Sequence, residues 1–401
     1  MPLKKVLYRI FHFILRLVVL LLPYPKQNII TGAGSIKKLP EVIAQFKMNN
    51  VLLVTDKGLM ALGLTDSLQA GLKERGIKFT IYDEVQPNPT IENIEAATEA
   101  YKNSGCQGLI AFGGGSPMDC AKLTGARITN PGKSIAKMRG LFKVGKKIPP
   151  LFAVPTTSGT GSETTVAAVV TDSGTHEKYA VSDLKLIPPV VVLDPELTLG
   201  LPAHITAATG MDALTHGIEA YIGLHGTRFV NEAAEKCIKL IFEYLEKTYN
   251  DGKNIDCREQ MAWASFYGGA AFTRASVGYI HGIAHNMGGL YGVPHGLANA
   301  IILPFLLEFY GKKAEKKLAA LAKLTGTAPE GTPKSEASRI FIEKIKDMNR
   351  KMGIPSYIKE LKGEDIPLIA KRAEKEANPF YPVPRILDQK ELEEVIARLL
   401  P

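Results

Sequence analysis

Asp212 and His216 stand four residues apart in GMDALTHGIEAYI, and His281 and His285 repeat that spacing in HGIAHNMGGLYGVPHG. On a helix, residues four apart share a face. His295 follows Pro294 where the pattern reads as a helix start. The chain has eight histidines, and four of them fall in these two stretches. Imidazole and carboxylate suit borderline divalent ions, and an i,i+4 pair presents two ligands from one helix. A single histidine on an apolar face needs only one hydrogen bond to sit in a core. Clustered histidines with a paired aspartate point instead to a bound metal.

Two glycine-rich stretches could hold phosphate. The apolar run Leu109–Phe112 enters Gly113-Gly114-Gly115-Ser116-Pro117, and a helix is expected from about Met118. Glycines let the backbone approach a diphosphate, and a helix N-terminus offers free N–H groups. Ser116 could cap that helix or donate to a phosphate. The spacing is not GxGxxG, and an ordinary tight turn explains GGGS equally well. A second run, Leu151–Val154, leads into Pro155–Glu163 (PTTSGTGSE), hydroxyls and glycines at the carboxyl end of a strand. Asp56 follows the run Val51–Thr55, placed either to accept a ribose 2′-OH or to cap the next helix.

The elements that must carry these residues change character near residue 200. Before it, Val51–Thr55, Leu109–Phe112, Leu151–Val154 and Val190–Leu193 read as buried strands alternating with helical stretches at 59–75 and 91–103. Continuous apolar strands between helices indicate an α/β domain with a parallel sheet covered on both faces. After it come helical patterns at about 204–223, 228–249, 257–275, 296–325 and 334–352. The expected division is a segment 1–24, an α/β domain 25–200 and an all-α domain 201–401.

A length of 401 residues allows two domains, and 45% hydrophobic with 22% charged residues is a globular composition. Cys106, Cys120, Cys237 and Cys257 form no CxxC pair, which suits reduced thiols in the cytoplasm. The net charge is +9, but residues 1–40 hold seven basic residues and no acidic one. The remainder is nearly neutral, and nucleic acid is not expected as a partner. Residues 3–22 (LKKVLYRIFHFILRLVVLLL) place Lys5, Arg9, His12 and Arg16 on one helical face amid apolar residues. This basic amphipathic pattern suits peripheral contact with the inner face of a membrane, or packing on protein. It is too interrupted for a membrane span, and Pro23-Tyr24-Pro25 is a poor cleavage site for a signal peptide.

From about Ile29 onward the ordered motifs resemble the iron-containing (group III) alcohol dehydrogenase family. They are GAGSI at 32–36, VTD at 54–56, PNPT at 87–90, GGGSPMD at 113–119 and PTTSGTGSE at 155–163. DPELTLGLP at 194–202, GMDALTHGIEAY at 210–221, HGIAH at 281–285 and PHGLANAIILP at 294–304 complete the series. The resemblance implies a dinucleotide-binding domain followed by a helical one, as in dehydroquinate synthase-like architectures. It implies that Asp212, His216, His281 and His295 hold one divalent ion, Fe(II) before Zn(II) or Mn(II), with His285 near the nicotinamide, where it is expected either to relay the alcohol proton as a catalytic residue or only to orient the neighbouring ring. It places Gly114, Gly115, Ser116 and Asp119 at the cofactor diphosphate, and Thr156, Thr157 and Thr160 in the second cofactor loop. Asn88 and Lys178 also approach the cofactor by motif match. Asp56 matches the adenosine-ribose acid, which favours NAD over NADP. Ala167 departs from members that carry a cofactor-contacting Asn, and residues 1–24 have no counterpart in typical members.

The implied activity is oxidation of a small alcohol, or reduction of an aldehyde, by a homo-oligomer. Rivals are a glycerol dehydrogenase-like polyol enzyme, a dehydroquinate synthase-like lyase and a non-catalytic NAD- or metal-binding protein at a membrane. The full set of one Asp and three His favours the alcohol dehydrogenase. Phe272 and Tyr291 are candidates to line its substrate pocket.

Overall fold

The computed structural model describes residues 3–175 and 177–401; the first two residues of the N-terminal segment lie outside them. The chain forms two compact units. One comprises Tyr24–Gly200 with Lys253–Ala262. The other comprises the segment through Pro23, Leu201–Gly252 and Trp263–Pro401.

Among its described residues the first unit contains nine strands, β1 (Asn28–Thr31), β2 (Asn50–Val54), β3 (Lys78–Tyr82), β4 (Gly108–Gly113), β5 (Gly140–Leu141), β6 (Leu151–Pro155), β7 (Ala167–Asp172), β8 (Glu177–Ser182) and β9 (Val190–Leu193). Six of them make one parallel sheet in the order β1-β9-β6-β4-β2-β3. Every residue of β4, β6 and β9 is buried, which is why these strands are continuous apolar runs. Edge strands β1 and β3 are only partly buried, and their NIIT and KFTIY carry no such run. The sequence pattern therefore missed them. Leu53, Ile110, Phe112, Phe152, Val154 and Val192 form a core with Leu39, Ile43, Leu68 and Leu72. A small sheet, β5-β8-β7, lies outside the main one, with β7 and β8 antiparallel.

Preceding these strands in the chain, helix α1 spans Leu3–Leu21. The helices of the sheet unit are α2 (Leu39–Gln45), α3 (Lys57–Ala61), α4 (Asp66–Glu74), α5 (Ile91–Asn103), α6 (Gly115–Thr129) and α7 (Ile135–Met138). The single helix expected at 59–75 is in fact two, α3 and α4, divided at Gly63 with its φ of 65°.

Beyond residue 200 the helices are α8 (Ala203–Ile222), α9 (Arg228–Asn250), α10 (Ile255–Ala275), α11 (Tyr279–Tyr291), α12 (His295–Tyr310), α13 (Lys312–Leu324), α14 (Lys334–Lys351), α15 (Ile366–Ala377) and α16 (Gln389–Ala397). No strand occurs there among the described residues. Helix α8 is buried nearly all round, and its small residues allow that. A Cβ at Gly210 would stand 2.3 Å from the Leu245 side chain of α9. The helix expected over 296–325 breaks at Gly311, with φ 51° and ψ −133°. The apolar spacing on both sides hid that break.

Helix α1 groups with the helical unit. Its basic face is the docked face. Arg9 donates to the carbonyls of Val383 (2.7 Å) and Pro384 (2.9 Å). Lys5 pairs with Glu391 (3.1 Å) and Asp388 (3.4 Å), and Arg16 donates to the Gly226 carbonyl at 3.2 Å. His12 is buried, and its carbonyl accepts from His225 Nε2 at 3.0 Å. No helix among the described residues is long and apolar enough to cross a membrane. All four cysteines are buried and unbridged.

Candidate active site

In the helical unit, α8 carries Asp212 and His216, α11 carries His281 and His285, and His295 opens α12. Asp212, His216 and His281 are buried, with ligand atoms all within 4.8 Å of one another. His295 is about one-third exposed and brings Nε2 to 3.6 Å from Asp212 Oδ1. The corresponding distances from His281 and His216 are 3.9 Å and 4.0 Å. Donors bound at about 2.1 Å in a tetrahedron stand about 3.4 Å apart, so Asp212, His216 and His281 suit one divalent ion, and His295 lies outside that triad while staying within 3.6 Å of its carboxylate. The Asn299 amide nitrogen lies among them, 2.7 Å from Asp212 Oδ1, 3.2 Å from His281 Nε2 and 3.1 Å from His295 Nε2. Three acceptors thus face one amide that has only two hydrogens to give.

Carboxylates outside this cluster orient two of the imidazoles. His281 Nδ1 donates to Glu219 Oε2 at 2.6 Å, which leaves Nε2 as the free donor atom. Glu219 also accepts from the Gly278 and Ile280 amides at 2.8 and 3.0 Å. Burial pushes its carboxyl up to about 8, against those hydrogen bonds. Burial, with neighbouring His216, His295 and His285, keeps His281 well below the usual imidazole range. His216 stacks between Phe272 (4.2 Å) and His281 (4.7 Å).

His285 is separate. It stacks on His295 at 5.3 Å, and its Nδ1 donates to Glu376 Oε1 at 2.7 Å. Tyr381 donates to the same oxygen at 2.7 Å. Burial works to raise Glu376, but His285 and Tyr381 outweigh it and hold the carboxylate below its ordinary value. Tyr291 donates to Asp365 at 2.6 Å, so its hydroxyl is occupied there.

In the sheet unit, α6 begins at Gly115, not near Met118, and its N-cap is Gly114 with no side-chain cap. Ser116 is inside the first turn, and its hydroxyl accepts from the Asn88 amide at 3.2 Å instead of capping. The early start follows from Gly113, whose φ of 147° turns the chain directly from β4 into the helix. A Cβ at Gly115 would stand 3.1 Å from Thr160, so the glycine admits the second loop. Thr157 lies against Gly114 in the same way, and the Thr156 amide donates to the Gly113 carbonyl at 3.1 Å. Asn88 has a left-handed φ of 59° and accepts from Lys178 Nζ at 2.7 Å. Asp56 does cap α3, accepting from the Leu59 amide at 3.0 Å.

Asp119 is half-buried beneath the loops. It accepts from Ser162 Oγ (3.0 Å) and the Val169 amide (3.1 Å). Burial raises its carboxyl, with Lys122 opposing. Lys122 Nζ reaches the carbonyls of Ser162 (2.6 Å), Thr165 (3.0 Å) and Ala167 (2.9 Å), tying down the second loop.

A family model described as iron-containing alcohol dehydrogenase matches residues 25–195, and its Fe-containing C-terminal counterpart matches 206–400. The chain belongs to the iron-containing alcohol dehydrogenase family. It is 38% identical to alcohol dehydrogenase 4 of Schizosaccharomyces pombe, over 88% of this chain and 83% of that enzyme. With 1,3-propanediol dehydrogenase of Citrobacter freundii the identity is 37%, covering 91% and 95%. With NAD-dependent methanol dehydrogenase of Bacillus methanolicus it is 37%, covering 86% and 91%. A solved 1,3-propanediol oxidoreductase superposes with a TM-score of 0.90 at 35% identity, covering 94% of this chain and 98% of that one. The expected architecture, a parallel-sheet α/β part and a helical part, is therefore the family's own.

Proposed function

We propose that this member of the family is an NAD-linked dehydrogenase of small alcohols, working in reverse as an aldehyde reductase. The observation that carries the reading is the buried cluster of Asp212, His216 and His281, with His295 Nε2 3.6 Å from Asp212, in a chain that matches the family over residues 25–195 and 206–400. Those four residues would hold the divalent ion, which supplies Lewis acidity to the alcohol oxygen, while NAD supplies the hydride acceptor.

The protein's own groups do the remainder. Glu219 fixes the His281 ring with Nε2 facing the donor set. His285, with Nδ1 held by Glu376, keeps Nε2 available to take the alcohol proton. Glu376 stabilises the imidazolium so formed, and Tyr381 steadies Glu376. The loops at Gly114–Ser116 and Thr156–Thr160 offer amides and hydroxyls to the diphosphate, with Asn88 and Lys178 beside them. Asp119 and Lys122 act beneath, holding the second loop in place. Asp56 retains an oxygen beyond its cap, and a carboxylate there favours a ribose hydroxyl over a 2′-phosphate. Four buried thiols suit a reducing compartment such as the cytoplasm.

The test is His281→Ala, purified without oxygen, assayed for bound iron, zinc and manganese and for NADH release with an alcohol panel. Loss of both metal and turnover is expected. Retention of both would overturn the site. NADP turnover equal to that with NAD would overturn the role given to Asp56.

A further inference from the structure

Helix α1 turns its polar side inward and its apolar side out. Leu3, Val6, Leu7, Ile10, Phe13, Ile14, Leu17, Val18, Leu20 and Leu21 are between 39% and 85% exposed. They account for half of the large hydrophobic side chains exposed among the described residues. At 3.6 residues per turn they fill an arc of about 160° that no polar residue interrupts. The opposite side is fastened to the protein by Lys5, Arg9, His12 and Arg16, so the helix cannot roll to bury its apolar arc without losing those bonds.

We infer that α1 is a lipid-binding face, lying in the surface of a bilayer that contains anionic lipids. A wide apolar face of Leu, Ile, Val and Phe with basic residues on the polar side is the form of a helix that lies in a membrane interface. Beside the arc, exposed Phe380 of the body meets Phe11 of α1 edge-on at 5.6 Å. Positive charge complementary to phosphate headgroups stays at the border of the helix, where Lys4 and Arg16 are exposed. Exposed Lys313 and Lys316 add to it, beside Lys317, which senses the Arg16 charge. Without a membrane-spanning helix among the described residues, the geometry is that of a helix lying flat, its apolar side chains sunk among the acyl chains.

The experiment is flotation of the full-length protein with phosphatidylcholine vesicles, with and without phosphatidylglycerol, at low and high salt. The protein is detected by total stain, so the outcome does not depend on dehydrogenase activity and the two proposals fail separately. The wild type is expected to float best with the anionic vesicles and to stay bound in high salt. Ile10→Asp with Leu17→Asp should lower partition by roughly tenfold or more, with circular dichroism unchanged. Three results would overturn the inference. One is equal flotation of the double variant. Another is binding that high salt abolishes, which would assign it to surface lysines. The third is a wild type that stays in the dense fraction while forming a dimer that the double variant cannot form, which would make the occupant a second copy.

Discussion

At the scale of single residues, two carboxylates decide how the imidazoles work. Glu219→Gln preserves shape but weakens the hold on His281 Nδ1. Metal affinity should fall about ten- to a hundredfold, read as metal retained after dialysis against a graded chelator. His285→Ala should do the opposite: metal content stays, while kcat falls about a hundredfold or more. A loss of metal in that variant would make His285 a ligand. Glu163 offers a test of stability instead. Burial pushes its carboxyl up to about 7, with Lys122 pulling the other way. The folded protein therefore keeps this proton between about pH 4.5 and 7 where the unfolded chain has released it, so stability falls as pH rises across that window. Glu163→Gln should remove the slope and add up to about 3 kcal/mol above pH 7, seen as a higher Tm in alkaline buffer. The residues proposed as metal donors could be picked out because they fall in i,i+4 pairs or in ordered motifs. Glu219 and Asn299 were equally readable, one helical step from His216 and His295, but carboxylates and amides on helices are too common to stand out. Glu376 lies 91 residues from His285, and no local spacing could have joined them.

At the scale of elements, legibility followed burial. Strands β2, β4, β6 and β9 are covered on both faces and read as apolar runs, whereas β1 and β3 are edges and do not. Helix α1 was legible as an amphipathic helix, but not the side on which it docks. That depends on partners more than 200 residues away: Gly226, Val383, Pro384 and Glu391. His12 makes the docking sensitive to acid. Burial first, then the Arg9 and His225 charges, push its imidazole down to about 4, with the Pro379 backbone opposing. Burial likewise lowers His225. Both rings are held neutral, so docking is complete above the ordinary imidazole value and weakens as pH falls towards 4. Amide exchange across α1 should therefore be slow at pH 7.5 and much faster, after correction for intrinsic rates, at pH 5. Equal protection at both would show that the histidines do not govern it.

At the scale of the whole molecule, the phosphate-type loops fall in one compact unit and the residues proposed as metal donors in the other. Ligands should mark them separately. NAD at a hundred times its Kd should stabilise by about 2.7 kcal/mol, with exchange protection concentrated at 113–119 and 155–163. Chelation should loosen α8, α11 and the start of α12 first, and a uniform response to both ligands would contradict this division of labour. The concealed cysteines carry a practical consequence for handling the enzyme. Burial drives the thiols of Cys120 and Cys237 up to about 12, and Cys106 is raised as well. Protonated, inaccessible sulfur is a poor target for iodoacetamide or peroxide. Activity lost in air should therefore be restored by fresh metal rather than by dithiothreitol, making inactivation a gauge of the ion and not of thiol damage.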